Sequence, residues 1–276
     1  MKKNLIGLLT IIILWLLITF IFNPPSYLFP SLINTVTDFI SNYQLYIHHT
    51  FITVIEIVLG FIVALFIGLS LSLVALYYQK TETIFTFISI ILKTIPIIAI
   101  APLLVLWFGN GLGSKVAAVA ITSFIPIFVN TLSGAKIILN RYKNIIGIYS
   151  LNKLEINKII LLHGISEYII TSLKITSSLA VVGALVSEFI SANKGLGYLI
   201  ISNYYSMNIA GVFVCIMISG LLGILIYSGC DYLERRYSYQ WINKYNENIR
   251  KSIYYFKRVS ILNKCYHYSL LLFWKY

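Results

Sequence analysis

Charged residues are scarce in this sequence. It contains 21 Lys and Arg and 9 Asp and Glu among 276 residues, so 11% of the chain is charged, whereas a typical soluble domain has roughly 25%. Apolar residues make up 59% of the chain, and its mean hydropathy is +0.86. Such a chain has too little polar surface to cover a water-soluble globule of this length. Disordered and collagen-like proteins are excluded by the same composition. The sequence therefore predicts an all-α, polytopic membrane protein.

The residue patterns of common enzyme sites are also absent. The three cysteines, Cys215, Cys230 and Cys265, show no CxxC spacing, and the four histidines lie in separate contexts without a metal-ligand pattern. The sequence contains no HExxH, GxSxG or GxxxxGK[ST] motif. We therefore expect no catalytic residues, no metal site and no bound cofactor in this chain. Energy for any transport must come from an ion gradient or from ATP bound by another polypeptide.

Long uncharged stretches locate the predicted membrane spans. A helix needs about 20 apolar residues to cross roughly 30 Å of hydrocarbon, and we predict about six spans: 5–22, 51–78, 84–108, 116–135, 166–190 and 209–229. A cleaved signal peptide is the alternative for the first span, because Lys2 and Lys3 precede an apolar run. That run lacks a small-residue cleavage site, which favours a retained helix.

The distribution of Lys and Arg predicts the orientation of the chain. With the first lysines inside, 17 of the 21 basic residues fall in predicted inner segments and two in outer segments. This bias places both termini in the cytoplasm. Anionic membrane lipid is then the natural partner of the basic residues. Nucleic-acid binding is disfavoured, because the basic residues are dispersed over a membrane protein.

The segments between the spans differ in character. Residues 22–42 contain three prolines and predict a short amphipathic piece on the membrane, whereas residues 191–208 are apolar enough for a re-entrant or interfacial helix. The inner segment 136–165 is longer than a simple connection, so it is either a docking element for a cytoplasmic partner or an amphipathic linker. We divide the chain into a transmembrane permease domain, 1–230, and a basic cytoplasmic tail, 231–276.

A few ionisable residues and prolines fall inside the predicted spans. Burying a charge in a membrane is costly and often marks a pathway or an ion pair, and two prolines in one span bend a helix and free carbonyl groups. Snorkelling or structural pairing is the alternative for each charge. Small residues in spans two and five predict close helix packing: Gly60, Gly68, Ser70, Ser72, Ser177, Ser178 and Gly183. The candidates for a translocation path are Glu56, Lys93, Pro96, Pro102 and Glu188.

Three stretches resemble a known transporter family. They are IPIIAIAPLLVLWFGNGLGSK at 95–115, EFISANKGLGYLI at 188–200 and TVIEIVLGF at 53–61. The first two are similar to signatures of the permease subunits of bacterial ABC importers in the nitrate/sulfonate/taurine class. Details such as GLGSK resemble the branch proposed to import hydroxymethylpyrimidine-type thiamine precursors. The resemblance implies the type I ABC importer permease arrangement in the bacterial inner membrane.

The same resemblance implies a cytoplasmic coupling helix with the family's "EAA" pattern. Its positions fall at Asn144, Ile145, Ile146, Ser150, Leu162 and His163. Ser150 stands where the family has glycine, and His163 stands where it has proline. These residues are expected to contact a separate ABC ATPase subunit.

The leading hypothesis is a permease subunit of an ATP-driven importer for a small polar solute. The solute would be a sulfonate- or nitrate-like anion or a hydroxymethylpyrimidine-like thiamine precursor. The expected partners are an ATPase subunit, an extracytoplasmic solute-binding protein and a second copy of the chain. The alternative is a gradient-driven carrier, or a substrate-binding membrane component without ATPase coupling. A carrier would predict inverted internal repeats, and we find no convincing repeat.

Overall fold

A computed structural model describes residues 2–149 and 165–236, and every regular element in these ranges is a helix. These two ranges contain nine helices, in chain order α1 (Lys2–Phe22), α2 (Leu32–Ser41), α3 (Tyr43–Tyr77), α4 (Gln79–Thr94), α5 (Ile97–Phe108), α6 (Leu112–Tyr149), α7 (Ser166–Ser191), α8 (Leu196–Tyr205) and α9 (Ile209–Arg236). The predicted all-α class is confirmed.

Four of these helices are each long and apolar enough to cross a membrane as a single helix. They are α3, the Leu112–Arg141 part of α6, α7 and α9. In α1, the segment Ile12–Phe22 is apolar but shorter than a full span. Helix α3 begins before the predicted second span, 51–78, and α6 extends beyond both ends of the predicted fourth span, 116–135. The polytopic architecture follows from these helices, whereas the placement of the termini stays a prediction.

The predicted third span, 84–108, is broken, and the bend expected from its prolines is confirmed. It is divided between α4 and α5, whose axes differ by 104°. The break falls at Ile95 and Pro96, which both have extended backbone angles. Proline disfavours a helical conformation in the residue before it, and it has no N–H to continue the hydrogen-bond ladder. The pair forms a broken span or a re-entrant segment.

Helices α3, α6 and α7 form the packed centre of the described fold. Gly60 of α3 lies against Val119 of α6, and Gly68, two turns later, lies against Ile127. The two helices therefore run parallel. Their contact is close because α3 presents small residues at a four-residue spacing, namely Gly60, Ala64, Gly68 and Ser72, all of them buried. The prediction of close packing is confirmed for this face.

Helix α7 runs antiparallel to α6. Gly183 of α7 faces Val119 and Thr122, whereas Tyr168, near the start of α7, faces Gly134. Ser177 is also buried, but Ser70 and Ser178 are exposed. Those two serines therefore do not contribute to packing within the described chain.

Aromatic contacts hold α1 against α9. Trp15 lies 5.6 Å from Phe29 and 5.2 Å from Phe213 between ring centroids, and its indole N–H donates to the carbonyl oxygen of Pro30 at 3.1 Å. The chain divides into the units Met1–Cys230 and Asp231–Tyr276. In the second unit, Arg235 Nε donates to Asp231 Oδ2 at 2.9 Å.

Candidate functional site

The candidate site lies where α3, α7 and α8 meet. We call it the junction and define it as His49, Thr53, Glu56, Glu188 and Gly195–Gly197. Its side chains are buried: Thr53 is 0% exposed, Glu188 1% and Glu56 4%. Polar groups are costly to bury unless they are hydrogen-bonded, so the partners of these side chains decide what the junction does.

Three consecutive backbone N–H groups at the start of α8 donate to side chains from other helices. Gly195 N donates to His49 Nδ1 at 2.9 Å, Leu196 N to Thr53 Oγ1 at 2.9 Å, and Gly197 N to Glu188 Oε2 at 2.5 Å. The first N–H groups of any helix lack partners inside the helix. In α8 they are satisfied by residues from α3 and α7, so the beginning of α8 is fixed to both helices.

The spacing of His49 and Thr53 explains why α3 can accept hydrogen bonds from two of these N–H groups. His49 and Thr53 are four residues apart and lie on one face of α3. Thr53 Oγ1 also donates to Glu188 Oε1 at 2.7 Å. Thr53 therefore connects α3, α7 and α8 through one hydroxyl group, and the imidazole of His49 stacks on Tyr198 at 5.8 Å between ring centroids.

Glycine is required at two positions of the loop that enters α8. Gly195 has φ +110°, in a region that residues with a Cβ rarely adopt, and a Cβ there would overlap the Glu188 carboxyl group. A Cβ on Gly197 would lie 2.7 Å from both Glu188 Cβ and the carbonyl oxygen of Leu185. The GLG sequence at 195–197 thus allows the backbone to reach Glu188.

The two glutamates of the junction contact each other. The carboxyl groups of Glu56 and Glu188 face each other, and both interact electrostatically with Lys115 of α6. Lys115 is 2% exposed, and its Nζ donates to Asn110 Oδ1 at 3.2 Å, Ser191 O at 3.0 Å and Ser191 Oγ at 3.2 Å. One buried ammonium group therefore lies within electrostatic range of two buried carboxyl groups.

The predicted path candidates separate into two groups. Glu56 and Glu188 come together at the junction, where protein atoms surround them. Lys93 lies on α4, Pro96 at the break and Pro102 on α5, and all three are exposed within the chain. Sequence reasoning missed the other contributors, His49, Thr53, Lys115, Gly195 and Gly197. The GLG spacing was the available signal for the two glycines.

The predicted coupling residues are described only in part. Asn144, Ile145 and Ile146 belong to the last turns of α6. Ser150, Leu162 and His163 lie outside the described residues. Helix α6 contains 38 residues, which corresponds to about 57 Å at 1.5 Å per residue. This exceeds the roughly 30 Å hydrocarbon core, so the helix is long enough to carry residues 144–146 beyond it.

The sequence is similar to those of known transport proteins. The family model for the binding-protein-dependent transport system inner membrane component matches residues 64–239. The chain is 34% identical to the formylaminopyrimidine transport permease protein ThiX of Halalkalibacterium halodurans, over 75% of this chain and 84% of that protein.

Two further relatives carry different names. The chain is 27% identical to the putative aliphatic sulfonates transport permease protein SsuC of Bacillus subtilis, over 71% of each chain. It is 26% identical to the nitrate import permease protein NrtB of Leptolyngbya laminosa, over 66% of this chain and 65% of that one. The match from α3 into the segment after α9, together with several apolar helices long enough to span a membrane, shows that the chain belongs to the family of binding-protein-dependent transport system inner membrane components, the permeases of ABC transporters.

Proposed function

We propose that this chain is the membrane-spanning subunit of an ATP-driven importer for a small polar solute. Two copies would enclose the translocation path, a separate ATPase would bind their cytoplasmic side, and an extracytoplasmic solute-binding protein would deliver the solute. The family match over residues 64–239 carries this proposal. It agrees with a sequence that contains no phosphate-binding GxxxxGK[ST] motif of its own.

The ATPase would bind segment 136–165, which comprises the end of α6 and the residues that lead to α7. Both flanking helices are packed together through the Gly134–Tyr168 contact, so a force on the segment acts on two spans at once. Asn144, Ile145, Ile146, Ser150, Leu162 and His163 are the proposed contact residues. A displacement of this segment on ATP binding would switch the path between outward- and inward-facing states.

The exposed side of α4 and α5 is the proposed path-lining surface. Lys93 places a cation in the last turn of α4, after an apolar stretch, and membrane-embedded charges usually face a pathway or the interior of a bundle. Leu106 and Trp107 of α5 are 76% and 66% exposed, which leaves this side available to a second copy or to the solute. Glu56 and Glu188 are buried in the junction, so we assign them to gating rather than to contact with the solute.

The proposed solute is an aminopyrimidine of the thiamine-precursor type. The relative named for formylaminopyrimidine transport shares 34% identity over 84% of its length, while the sulfonate and nitrate relatives share 27% and 26% over shorter portions. Sulfonates and nitrate are the alternative solutes. An aminopyrimidine carries ring nitrogens and an amino group, whereas sulfonates and nitrate are small anions. Competition assays therefore distinguish the two classes of solute.

Reconstitution with partners tests the proposal. The chain is placed in proteoliposomes with a candidate ATPase and a candidate binding protein from the same organism, and uptake of radiolabelled aminopyrimidine, taurine and nitrate is measured with and without ATP. ATP-dependent aminopyrimidine uptake is expected. Uptake by the isolated chain that follows a proton or sodium gradient would support the carrier alternative and contradict the proposal.

Variants of the coupling segment provide the matched test. Ser150→Asp combined with Leu162→Asp places charges on the proposed ATPase contact and is expected to abolish co-purification of the ATPase. Asn152→Asp, in the same segment, is the control and should leave co-purification unchanged. Retention of the ATPase by the double variant would show that it binds elsewhere.

A further inference from the structure

The Glu56–Glu188 contact requires a proton. Two carboxylate groups repel each other, and a hydrogen bond between carboxyl groups forms only when at least one oxygen carries hydrogen. Both side chains are almost completely buried, so water does not separate them as it would on a surface. The pair therefore contains a proton that belongs to one glutamate or the other.

The surroundings of the two carboxyl groups differ. Glu188 accepts hydrogen bonds on both oxygens, from Thr53 Oγ1 at 2.7 Å and from Gly197 N at 2.5 Å. It also lies at the N-terminus of α8, where the helix dipole favours negative charge. By contrast, Glu56 Oε2 is buried and has no hydrogen-bond partner among the described residues. Every donor that reaches the pair from α3 or α8 is directed at Glu188.

The charge of Lys115 also favours one charged and one neutral glutamate. Its ammonium group is buried and donates to neutral oxygens of Asn110 and Ser191, so its positive charge needs a nearby anion. One carboxylate beside it gives a neutral group of three side chains. Two carboxylates would leave an excess negative charge in an apolar interior, which is costly.

We propose that Glu188 is the only carboxylate of the pair and positions α8, while Glu56 carries the shared proton and donates it in a hydrogen bond to Glu188. The two glutamates thus have unequal roles although they are in contact. Glu188 is a positioning residue that acts through Thr53 and the first N–H groups of α8. Glu56 acts as a neutral donor, which a glutamine can replace. This inference concerns the junction alone and does not depend on the solute or on the ATPase.

Matched glutamine variants test whether Glu56 and Glu188 have these different roles. In Glu56→Gln, the new amide N–H takes over the donor role, and α8 should keep its attachment. In Glu188→Gln, an amide nitrogen facing Gly197 N–H could not accept its hydrogen bond, whereas one facing Thr53 would make the hydroxyl accept and donate to the His49 carbonyl at 3.2 Å instead. In either orientation the charged acceptor of Glu188 is lost. Because hydrogen bonds to charged groups are stronger than neutral ones, the loss should release the start of α8.

Hydrogen exchange of the Gly195–Gly197 amides measures this release directly. In full-length protein held in nanodiscs, Glu188→Gln should accelerate their exchange by about tenfold or more, and Glu56→Gln should change it by less than about twofold. The infrared band of a protonated carboxyl group should be present in the wild type and absent in Glu56→Gln.

The outcomes separate clearly. Equal acceleration in both variants, or a larger effect in Glu56→Gln, would overturn the assignment. If Glu188→Gln fails to fold while Glu56→Gln folds normally, the inequality is supported by that difference. Persistence of the carboxyl band in Glu56→Gln would place the proton on Glu188 and refute the proposal. None of these results requires transport activity, so failure of the importer proposal leaves the test intact.

Discussion

The packing of α7 against α6 leaves no room for a side chain at Gly183. A Cβ at this position would lie 2.6 Å from Thr122 Oγ1, 3.1 Å from Val119 Cα and 3.2 Å from the carbonyl oxygen of Ala118. Two of these three contacts are with backbone atoms, which cannot rotate away. Replacing Gly183 with alanine should therefore force the two helices apart or distort their contact.

Three contributions set the change in the free energy of unfolding that Gly183→Ala should cause. Overpacking a close contact costs about 1–3 kcal/mol. Thr122 Oγ1 donates to backbone carbonyls of α6 at 2.9 and 3.1 Å, so displacing it costs about 0.5–1.5 kcal/mol more. The higher helix propensity of alanine offsets up to about 1 kcal/mol. We expect Gly183→Ala to lower the free energy of unfolding by about 0.5–4.5 kcal/mol.

A matched control is available on α9. A Cβ at Gly220 would meet nothing within 4 Å in the described chain. Gly220→Ala should thus gain helix propensity, by up to about 1 kcal/mol, without a steric cost. The two alanine variants have the same chemistry, and they should shift the unfolding transition in opposite directions.

A buried cysteine provides the assay. Cys215 is 0% exposed, so it reacts with a thiol-specific fluorogenic dye only when the protein opens. In a Cys230→Ser, Cys265→Ser background, the dye signal during heating in detergent reports the unfolding midpoint. A double-mutant cycle with Thr122→Ala completes the experiment, because removing Oγ1 should recover part of the loss in Gly183→Ala. Equal midpoints for the Gly183 and Gly220 variants, or strict additivity in the cycle, would refute the packing described above.

Two further predictions use the same assay. Lys136 and Glu82 form an ion pair in which the side chains are 49% and 27% exposed. Reversing either charge should therefore lower the free energy of unfolding by at most about 1 kcal/mol. Reversing both charges together should restore it, and no recovery would contradict the pairing. Trp15→Phe keeps the aromatic packing but leaves the carbonyl of Pro30 without its donor, which should cost about 1–3 kcal/mol. Trp107→Phe, at a 66% exposed position, is its control, and equal losses would show that the indole hydrogen bond is unimportant.

The helices could be predicted from the sequence because the signals for them are local. Uncharged stretches of about 20 residues located the long helices, and the small residues at Gly60, Gly68 and Gly183 predicted where helices approach each other. Prolines predicted a bend near 96. The angle of 104° between α4 and α5 could not be predicted, because it depends on packing against α3 and α6.

The junction could be predicted only in part. Glu56 and Glu188 were singled out because each is an ionisable residue in an apolar stretch. Their contact joins residues 132 positions apart, and no periodicity in a single sequence encodes such a distance. His49 presented a similar difficulty, since it lies in an ordinary helical stretch and gains its partner only when the 195–197 loop folds back onto α3.

The length of α6 has a mechanical consequence. Lys115, beside the junction, and Asn144, in the proposed ATPase contact, belong to the same helix and are separated by about 44 Å along its axis. A tilt of about 5° around one end would shift the other end by about 4 Å, without any loop to absorb the motion. Pro126 lies between them, and its missing N–H makes that turn the easiest place for the helix to flex. Rotation of the whole helix and bending at this turn are therefore the two ways in which a push at one face of the membrane can reach the other.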